Sequence, residues 1–589
     1  MRLLPGLRRS ELAMLVGVVV LAALLRLWGL GANGYGNEYY AAGVRSMLQS
    51  AHLFFYNAFD PAGLVSLDKP PLAFWIQALF ARLLGYDGWA LHLPQAVAGI
   101  ASVALLYAVV RRPFGRIAAF LAALLLALSP IAVAADRSNN TDSWLVLFLL
   151  IAASLALRGR GLSFVFAMVA LGLAFNVKML AAVICAPALL VGWWLSTELD
   201  WRQRAVWLAS GAVALAVVAF SWAVAFDLTP ADARPVAGSS KRNSMLELIV
   251  IHNGLERFVR RPPETPPIAA AQASQRVLAY DAVPVGPLRL ATPMLAGQFA
   301  WALPLAVLGA LLAWRRRRAW VALWTTWALT YGLVYSTAGG IFHIYYLATL
   351  APPLAALAGL GCYELWRRGP NFLALGLAAT ALWQGYITGA TLGWIATWLG
   401  FPAVALLAAV AAAARGRRAS AIIGGVALLV LPAAWALSPV FSPGNLILPS
   451  ASLPRWLGLD DGRGPILSRL YRMLTDDPKL LTFLQKQRGS ARFLASAPTA
   501  LLAAPLIVRS GEPVIAYGGY LGNDPVMDVA AFAERAKRGE VRYAILGASR
   551  RPAEFDAWVR ANGTPVDPTL WRSLPPEGRR PIALYDLKP

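Results

Sequence analysis

Apolar runs long enough to cross a membrane alternate with polar breaks along the first three quarters of the chain. A spanning helix needs about 20 mostly apolar residues. By that measure spans are expected at 11–30, 89–110, 117–135, 142–157, 162–177, 179–196, 205–226, 297–314, 319–336, 344–363, 371–388, 391–413 and 420–440, thirteen in all. The turn at 176–178 joins two of them with almost no linker. The first run, 12–30, is longer than a signal peptide's apolar region and lacks a small-residue cleavage pattern, so it reads as a retained anchor. Three stretches interrupt the apolar rhythm for longer: 31–88, 227–296 and 442–589. Within the first, 38–49 and 72–84 carry apolar positions at helical spacing, as in helices that lie in a membrane interface. The second holds one amphipathic turn near 245–253, and its Pro-rich later part, 262–293, has little periodicity and reads as an irregular cover.

The pattern changes after residue 443. ARFLASA, EPVIAYGG, VRYAILG and PIALYDL are short apolar runs of strand type, whereas DVAAFAERAKRG and AEFDAWVRANG have helical spacing and end in glycine. Strand and helix in alternation predict a small α/β domain. The chain is thus expected to be an all-α polytopic membrane region, 1–441, with outer loops 31–88 and 227–296, followed by an extracytoplasmic α/β domain, 442–589.

Composition and charge sharpen this picture. Of 589 residues, 58% are hydrophobic and only 14% charged, against about a quarter charged in a soluble domain. The formal net charge is +23, yet the arginines sit in short clusters at 8–9, 111–112, 158–160, 202–204, 315–318, 367–368 and 415–418, all on one side of the predicted spans. That is the positive-inside pattern, which requires no nucleic-acid partner. These seven loops are expected to face the cytoplasm, with the N-terminus. An odd number of spans then puts the tail outside. The two cysteines, Cys185 and Cys362, both lie in apolar runs and offer no disulfide framework.

Ionisable residues beside a membrane are candidates for function, because burying them unpaired is costly. Glu38 and Asp142 stand out, each within a few residues of the outer end of a span; Asp60, Asp68, Lys69, Asp136, Arg137, Lys178, Lys241, Arg242, His252 and His343 are further outward-facing candidates. Asp142 closes the polar turn DRSNNTD, with Asn140 beside it. A helix N-cap explains that turn equally well, since Asn or Thr caps and Asp is favoured in a first turn. Asp68-Lys69-Pro70-Pro71 reads either as a plain turn opening a helix or as an acid and base placed for phosphate binding and proton transfer. His252 is the candidate metal ligand, with a divalent cation as the implied cofactor. Motifs for ATP hydrolysis, dithiol redox chemistry or a serine hydrolase are absent from the sequence.

Taken together these residues resemble a known family. GNEYYAAGVRSM (36–47), DKPPLAFW (68–75), LAGQFAW (295–301), the Asn/Asp turn after the third span and the tail's GEPVIAYGGYLGNDP (511–525) are similar to the GT-C membrane glycosyltransferases. The likeness is closer to the protein O-mannosyltransferase and lipid A aminoarabinose transferase superfamily. Closer still are bacterial mannosyltransferase-like proteins with a C-terminal extracytoplasmic α/β domain. It covers nearly the whole chain. It implies transfer of a mannose-like or glucose-like hexose, with inversion, from a polyprenyl-phosphate carrier to an acceptor on the outer face of the cytoplasmic membrane. The acceptor is left open among protein, lipid and glycan.

The resemblance also implies roles. The superfamily's first-loop acidic pair supplies the base and helps bind the acceptor. Here it is Asn37-Glu38, an amide in place of the first acid, which leaves Glu38 as base with Asp68 or Asp142 as substitutes. Lys69 matches the lysine near the carrier phosphate, and His343 and Tyr345 match a region facing the lipid head group. Tyr40, Arg137, Asn140 and Lys178 complete the expected substrate contacts. A transporter or flippase of lipid-linked sugars is the competing reading, but it predicts inverted repeats and broken midplane helices, and the sequence shows neither.

Overall fold

A computed structural model describes residues 9–258, 283–340, 342–393, 400–444, 446–457, 477–547, 553–573 and 582–587. A helix occupies each of the thirteen expected spans. Among the described residues six helices are long and apolar enough to cross a membrane, and two bent pairs bring the number to eight if each pair is one span. The bent pairs are Arg116–Ala127 with Pro130–Asp136, at 61°, and Pro293–Phe299 with Leu303–Ala313, at 62°. Pro130 and Pro304, each in the first turn of the second segment, supply no N–H and cannot continue the preceding ladder. Part of the expected span 391–413 lies outside the described residues, as does most of the cover at 262–293.

The chain forms two compact units. Unit 1 comprises Met1–Asn33, His92–Phe220 and Ala279–Gly462. Its helices pack through small residues. A Cβ on Gly309 would sit 1.9 Å from the Leu357 carbonyl oxygen, so helix Leu303–Ala313 touches helix Ala351–Arg368 backbone to backbone. Close approach through glycine is a usual way for membrane helices to associate, because lipid offers no hydrophobic drive. The LAGQFAW motif is a pin of the same unit. Gln298 exchanges two hydrogen bonds with the Ala451 backbone, at 2.8 and 3.0 Å, and Trp301 packs on Trp435 at 5.0 Å.

Unit 2 gathers Gly34–Leu91, Ser221–Leu278 and Arg463–Pro589. Both expected helices of the first loop form, as Glu38–Met47 and Leu72–Leu84. The amphipathic turn of the second loop forms as Met245–Glu247, widening into Leu248–His252. The four expected tail strands are present as β1 (Ala495–Ala497), β2 (Val514–Ala516), β3 (Tyr543–Leu546) and β5 (Ala583–Asp586), with a short β4 (Thr564–Pro565) that the sequence pattern did not show. Their order is β2-β1-β3-β5-β4. β1 runs parallel to β2 and β3, and β5 antiparallel to β3 and β4.

Two tail helices of ten residues or more escaped the sequence reading, Pro478–Gln487 and Ala500–Ser510. Each has a side-chain cap: Asp477 accepts from the Lys479 N–H, and Thr499 from the Leu502 N–H. The second is the crossover between parallel β1 and β2, as parallel pairing requires. It buries Leu502, Leu506 and Ile507 in one hydrophobic core with Tyr39, Tyr40 and Val44 of helix Glu38–Met47. The tail sheet and the first loop therefore share a core.

Candidate active site

In unit 2 the first loop is built around buried polar groups. Asp60 accepts backbone N–H bonds from Ala62, Leu64 and Val65 at 2.9, 2.9 and 3.1 Å, which winds residues 60–65 into a tight turn. Burial pushes its carboxyl up to about 6 despite those donors. Past the turn, Ser66 donates its N–H to the Val236 carbonyl and Val236 donates to that of Leu64, both at 2.9 Å, stitching the second loop alongside. Asn57, in the left-handed region at φ 55°, donates its side-chain amide to the Lys69 carbonyl at 2.8 Å.

This scaffold presents Asp68 and Lys69. The Lys69 ammonium donates to Asp68 Oδ2 at 2.5 Å, and the Asp68 N–H donates to the Tyr39 hydroxyl at 3.2 Å. Burial raises the Asp68 carboxyl, but the Lys69 charge and hydrogen bond outweigh it and hold the group below its ordinary range. Asp68 Oδ1 is buried and has no hydrogen-bond partner. Across from this pair, His252 meets Glu256 at 3.1 Å. Burial, with the positive charges of Lys69 and Arg257, pulls the imidazole down to about 4, so it is neutral at physiological pH. Among the described residues no group of three or more His, Cys, Asp or Glu is gathered. His252 and Glu256 pair with each other.

Glu38 opens helix Glu38–Met47, one residue after Asn37 at the N-cap. Its Oε1 lies 3.4 Å from Arg509 Nη2 of tail helix Ala500–Ser510. Of the three candidate carboxylates it is the most accessible, at 15% of its side chain against 9% for Asp68 and 1% for Asp142. Tyr40 packs in the core against Phe74 at 4.9 Å. Its neighbour Tyr39, which the sequence reading passed over, joins Asp68 to Phe59 and to Tyr520 of the tail, at ring distances of 5.1 and 4.6 Å.

Unit 1 has its own polar centre at the turn between helices Pro130–Asp136 and Asp142–Ala156. Asp142 is buried, and both its oxygens accept from Lys178, at 2.6 and 2.7 Å. Lys178 ends helix Gly161–Lys178, and the next residue, Met179, turns the chain at φ 46°. The ammonium lies 4.7 Å from the Tyr345 ring and 4.1 Å from that of Tyr346, and His343 stacks on Tyr345 at 5.4 Å. Tyr346 was not foreseen, although it stands beside Tyr345 in FHIYY.

Other predicted contacts in unit 1 have structural partners. Arg137 is fully buried and donates to the carbonyls of Leu25, Arg26 and Pro439, at 3.1–3.2 Å. Asn140 reaches the Ile447 carbonyl at 3.4 Å. Asp136 pairs with Arg26 at 2.7 Å. Arg26 is an arginine inside the first apolar run, and that signal alone could have marked it.

Comparisons with known proteins agree with this architecture. A family model described as Dolichyl-phosphate-mannose-protein mannosyltransferase matches residues 68–222, and one described as "Putative mannosyltransferase YkcB-like, C-terminal" matches 480–562. The Bacillus subtilis (strain 168) protein named "Putative mannosyltransferase YycA" is 32% identical, over 94% of this chain and 94% of its own. Its relative YkcB from the same organism is 30% identical over 96% of this chain and 93% of its own. Among solved structures, ArnT from Cupriavidus metallidurans superposes with a TM-score of 0.54 in the apo state and 0.54 bound to undecaprenyl phosphate, at 18% and 17% identity and 98% coverage of this chain. With relatives matched end to end and the ArnT fold, this chain belongs to the YycA/YkcB mannosyltransferase family, and it is a multi-pass GT-C membrane glycosyltransferase.

Proposed function

We propose that the chain transfers a hexose from a polyprenyl-phosphate carrier to an acceptor hydroxyl, with inversion, on the outer face of the cytoplasmic membrane. The observation that carries this reading is the buried pair of the first loop, Asp68–Lys69, in which one carboxylate oxygen has no hydrogen-bond partner. A lipid phosphate is already a good leaving group and needs a cation rather than a strong acid. Lys69 supplies that charge in the first loop. Lys178, set against Tyr345, Tyr346 and His343, gives its charge to both oxygens of Asp142. ArnT, whose fold this chain shares, has been solved with undecaprenyl phosphate bound, which supports a lipid-phosphate donor.

Proton removal falls to Glu38. Asp142 has both oxygens tied to Lys178, and Asp68 is tied to Lys69 at 2.5 Å. Glu38 has the longest of these contacts and the most exposed carboxylate. In the step, the bond from the anomeric carbon to the phosphate oxygen breaks, and its electron pair leaves with the carrier phosphate. The acceptor oxygen bonds that carbon from the opposite face, and its proton passes to Glu38. The arginine clusters on one side of the spans support a cytoplasmic N-terminus and an outer tail.

The test is transfer of label from radiolabelled polyprenyl-phosphate hexoses in membranes holding wild type or Glu38→Gln. Loss of a general base is expected to lower transfer by about 10²–10⁴-fold. Full transfer in the variant removes Glu38 from the role. Label that changes leaflet without leaving its carrier sinks the transferase reading in favour of a flippase.

A further inference from the structure

Helix Ala500–Ser510 lies directly against helix Glu38–Met47, and its C-terminal end is pinned there. Gln49 donates its side-chain amide to the Gly511 carbonyl at 2.8 Å. Gly511 caps the helix at φ 71°, and a Cβ there would meet the Arg45 guanidinium at 3.1 Å. Two residues before the cap, Arg509 donates Nη1 to the Pro505 carbonyl at 3.0 Å and Nη2 to Glu38 at 3.4 Å. The first bond fixes the guanidinium along its own helix, so the second reaches Glu38 from a rigid mount. Further along, Asp524 accepts N–H bonds from Tyr520 at 3.2 Å and from Ser239 of the second loop at 3.0 Å, while Tyr520 packs on Tyr39. The tail thus grips the helix of Glu38 at both its ends.

We propose that Arg509 is a positioning residue for Glu38, so that the tail, 471 residues away in sequence, sets the orientation and charge of the carboxylate that receives the acceptor proton. This rests on the reading of Glu38 as base. A partly exposed ion pair contributes little to folding, so its worth lies in geometry: it holds one carboxylate oxygen and thereby directs the other. Charged and titratable groups near Glu38 include Arg509 and Tyr86. The Tyr86 phenol is pushed well up, first by burial, with Tyr35, Arg45, Glu38 and Arg509 as its electrostatic neighbours. The Arg45 guanidinium lies 4.7 Å from the Tyr86 ring.

The experiment compares full-length wild type, Arg509→Ala, Arg509→Lys, Glu38→Gln and the control Arg560→Ala in membranes, assayed with radiolabelled polyprenyl-phosphate hexose across pH. Arg560 serves as control because its partner is the Tyr585 hydroxyl. Arg509→Ala is expected to lower kcat about tenfold with donor KM unchanged, and to move the acid limb upward by about one pH unit, since an opposite charge lowers a carboxylate by 1–3 units. Arg509→Lys restores most of both effects, and Arg560→Ala changes neither. Wild-type kcat and pH profile in Arg509→Ala, with Glu38→Gln inactive, overturns the positioning role alone. Full transfer in Glu38→Gln overturns the base assignment and the role of Arg509 with it. Should Arg509→Ala fail to accumulate, Arg509→Gln keeps the aliphatic stem and carries the same comparison.

Discussion

Each compact unit buries a lysine against an aspartate, and the two pairs are built differently. Asp142 and Lys178 come from the ends of separate helices, 36 residues apart, and Lys178 closes on both carboxylate oxygens. Asp68 and Lys69 are neighbours in a loop; one oxygen is engaged at 2.5 Å while the other is buried without a hydrogen-bond partner. The first pair satisfies the carboxylate completely, and its helix ends and tyrosine rings hold it in one geometry. The second leaves an acceptor unsatisfied inside the protein, which costs about 1–3 kcal/mol. An incompletely satisfied pair gains by taking up a further hydrogen-bonding group, whereas a closed one gains nothing. The difference separates a lock from a site: the helix-end pair secures the turn at 136–142, and the loop pair is the one poised to exchange partners with a ligand.

The largest effect should come from breaking the lock. Removing one member of a buried pair leaves an uncompensated charge and costs about 3–5 kcal/mol. Asp142→Ala and Lys178→Met should therefore each lower the thermal midpoint of the purified protein in detergent by many degrees. The double replacement Asp142→Leu with Lys178→Met should recover much of that loss, because no charge is then stranded. If the double variant is less stable than either single one, the pair holds the fold by more than mutual compensation, and the contrast with the loop pair fails.

Breaking the loop pair should also cost stability, since Asp68 is buried, but its distinguishing effect should be on transfer. Lys69→Met is expected to lower transfer by about 10²–10³-fold, the scale seen when a group stabilising developing charge is removed. Lys69→Arg should retain part of the rate, since it keeps the charge but changes its geometry. The readout is label transferred from the polyprenyl-phosphate donor at saturating and limiting donor. A Lys69→Met protein that transfers normally but melts early would make the loop pair a second lock.

Legibility from sequence followed the range of the interactions. Helices of the membrane region were readable because lipid demands long apolar runs, and the first-loop helices because their apolar spacing is local. Asp68, Lys69, Asp142 and Lys178 were conspicuous as charges at the ends of apolar runs. Their pairing was half visible: Asp68 touches the next residue, whereas Asp142 finds a partner across a helix and back. What stayed hidden acts at long range. Arg509 lies in ALLAAPLIVRS, where the internal Pro505 masks a helix, and nothing nearby in sequence points to Glu38. Tyr39 lay within a quoted motif, but only its contacts with Asp68 and Tyr520 set it apart from Tyr40. The shared core of tail and first loop was invisible for the same reason, since periodicity shows that a face is buried but not which partner buries it.

The smallest effect concerns the turn that carries the loop pair. Asp60 uses one oxygen for the Ala62 N–H and the other for those of Leu64 and Val65. Asn in its place keeps one acceptor and presents an amide donor to N–H groups, so Asp60→Asn is expected to cost about 1–3 kcal/mol at neutral pH. The pH dependence has a definite sign. Burial raises the folded-state carboxyl to about 6, above the ordinary carboxylate value near 3.9, so the folded protein binds the extra proton first. The stability contributed by that proton is fully present below about pH 4 and is lost as pH rises through about 6. Asp60→Asn lacks this term. The difference in melting temperature between wild type and variant should therefore widen in favour of wild type from pH 7.5 to pH 5. A difference that stays constant over that range would mean that Asp60 titrates as an ordinary carboxylate, and that the turn beneath Asp68 and Lys69 rests on its three hydrogen bonds alone.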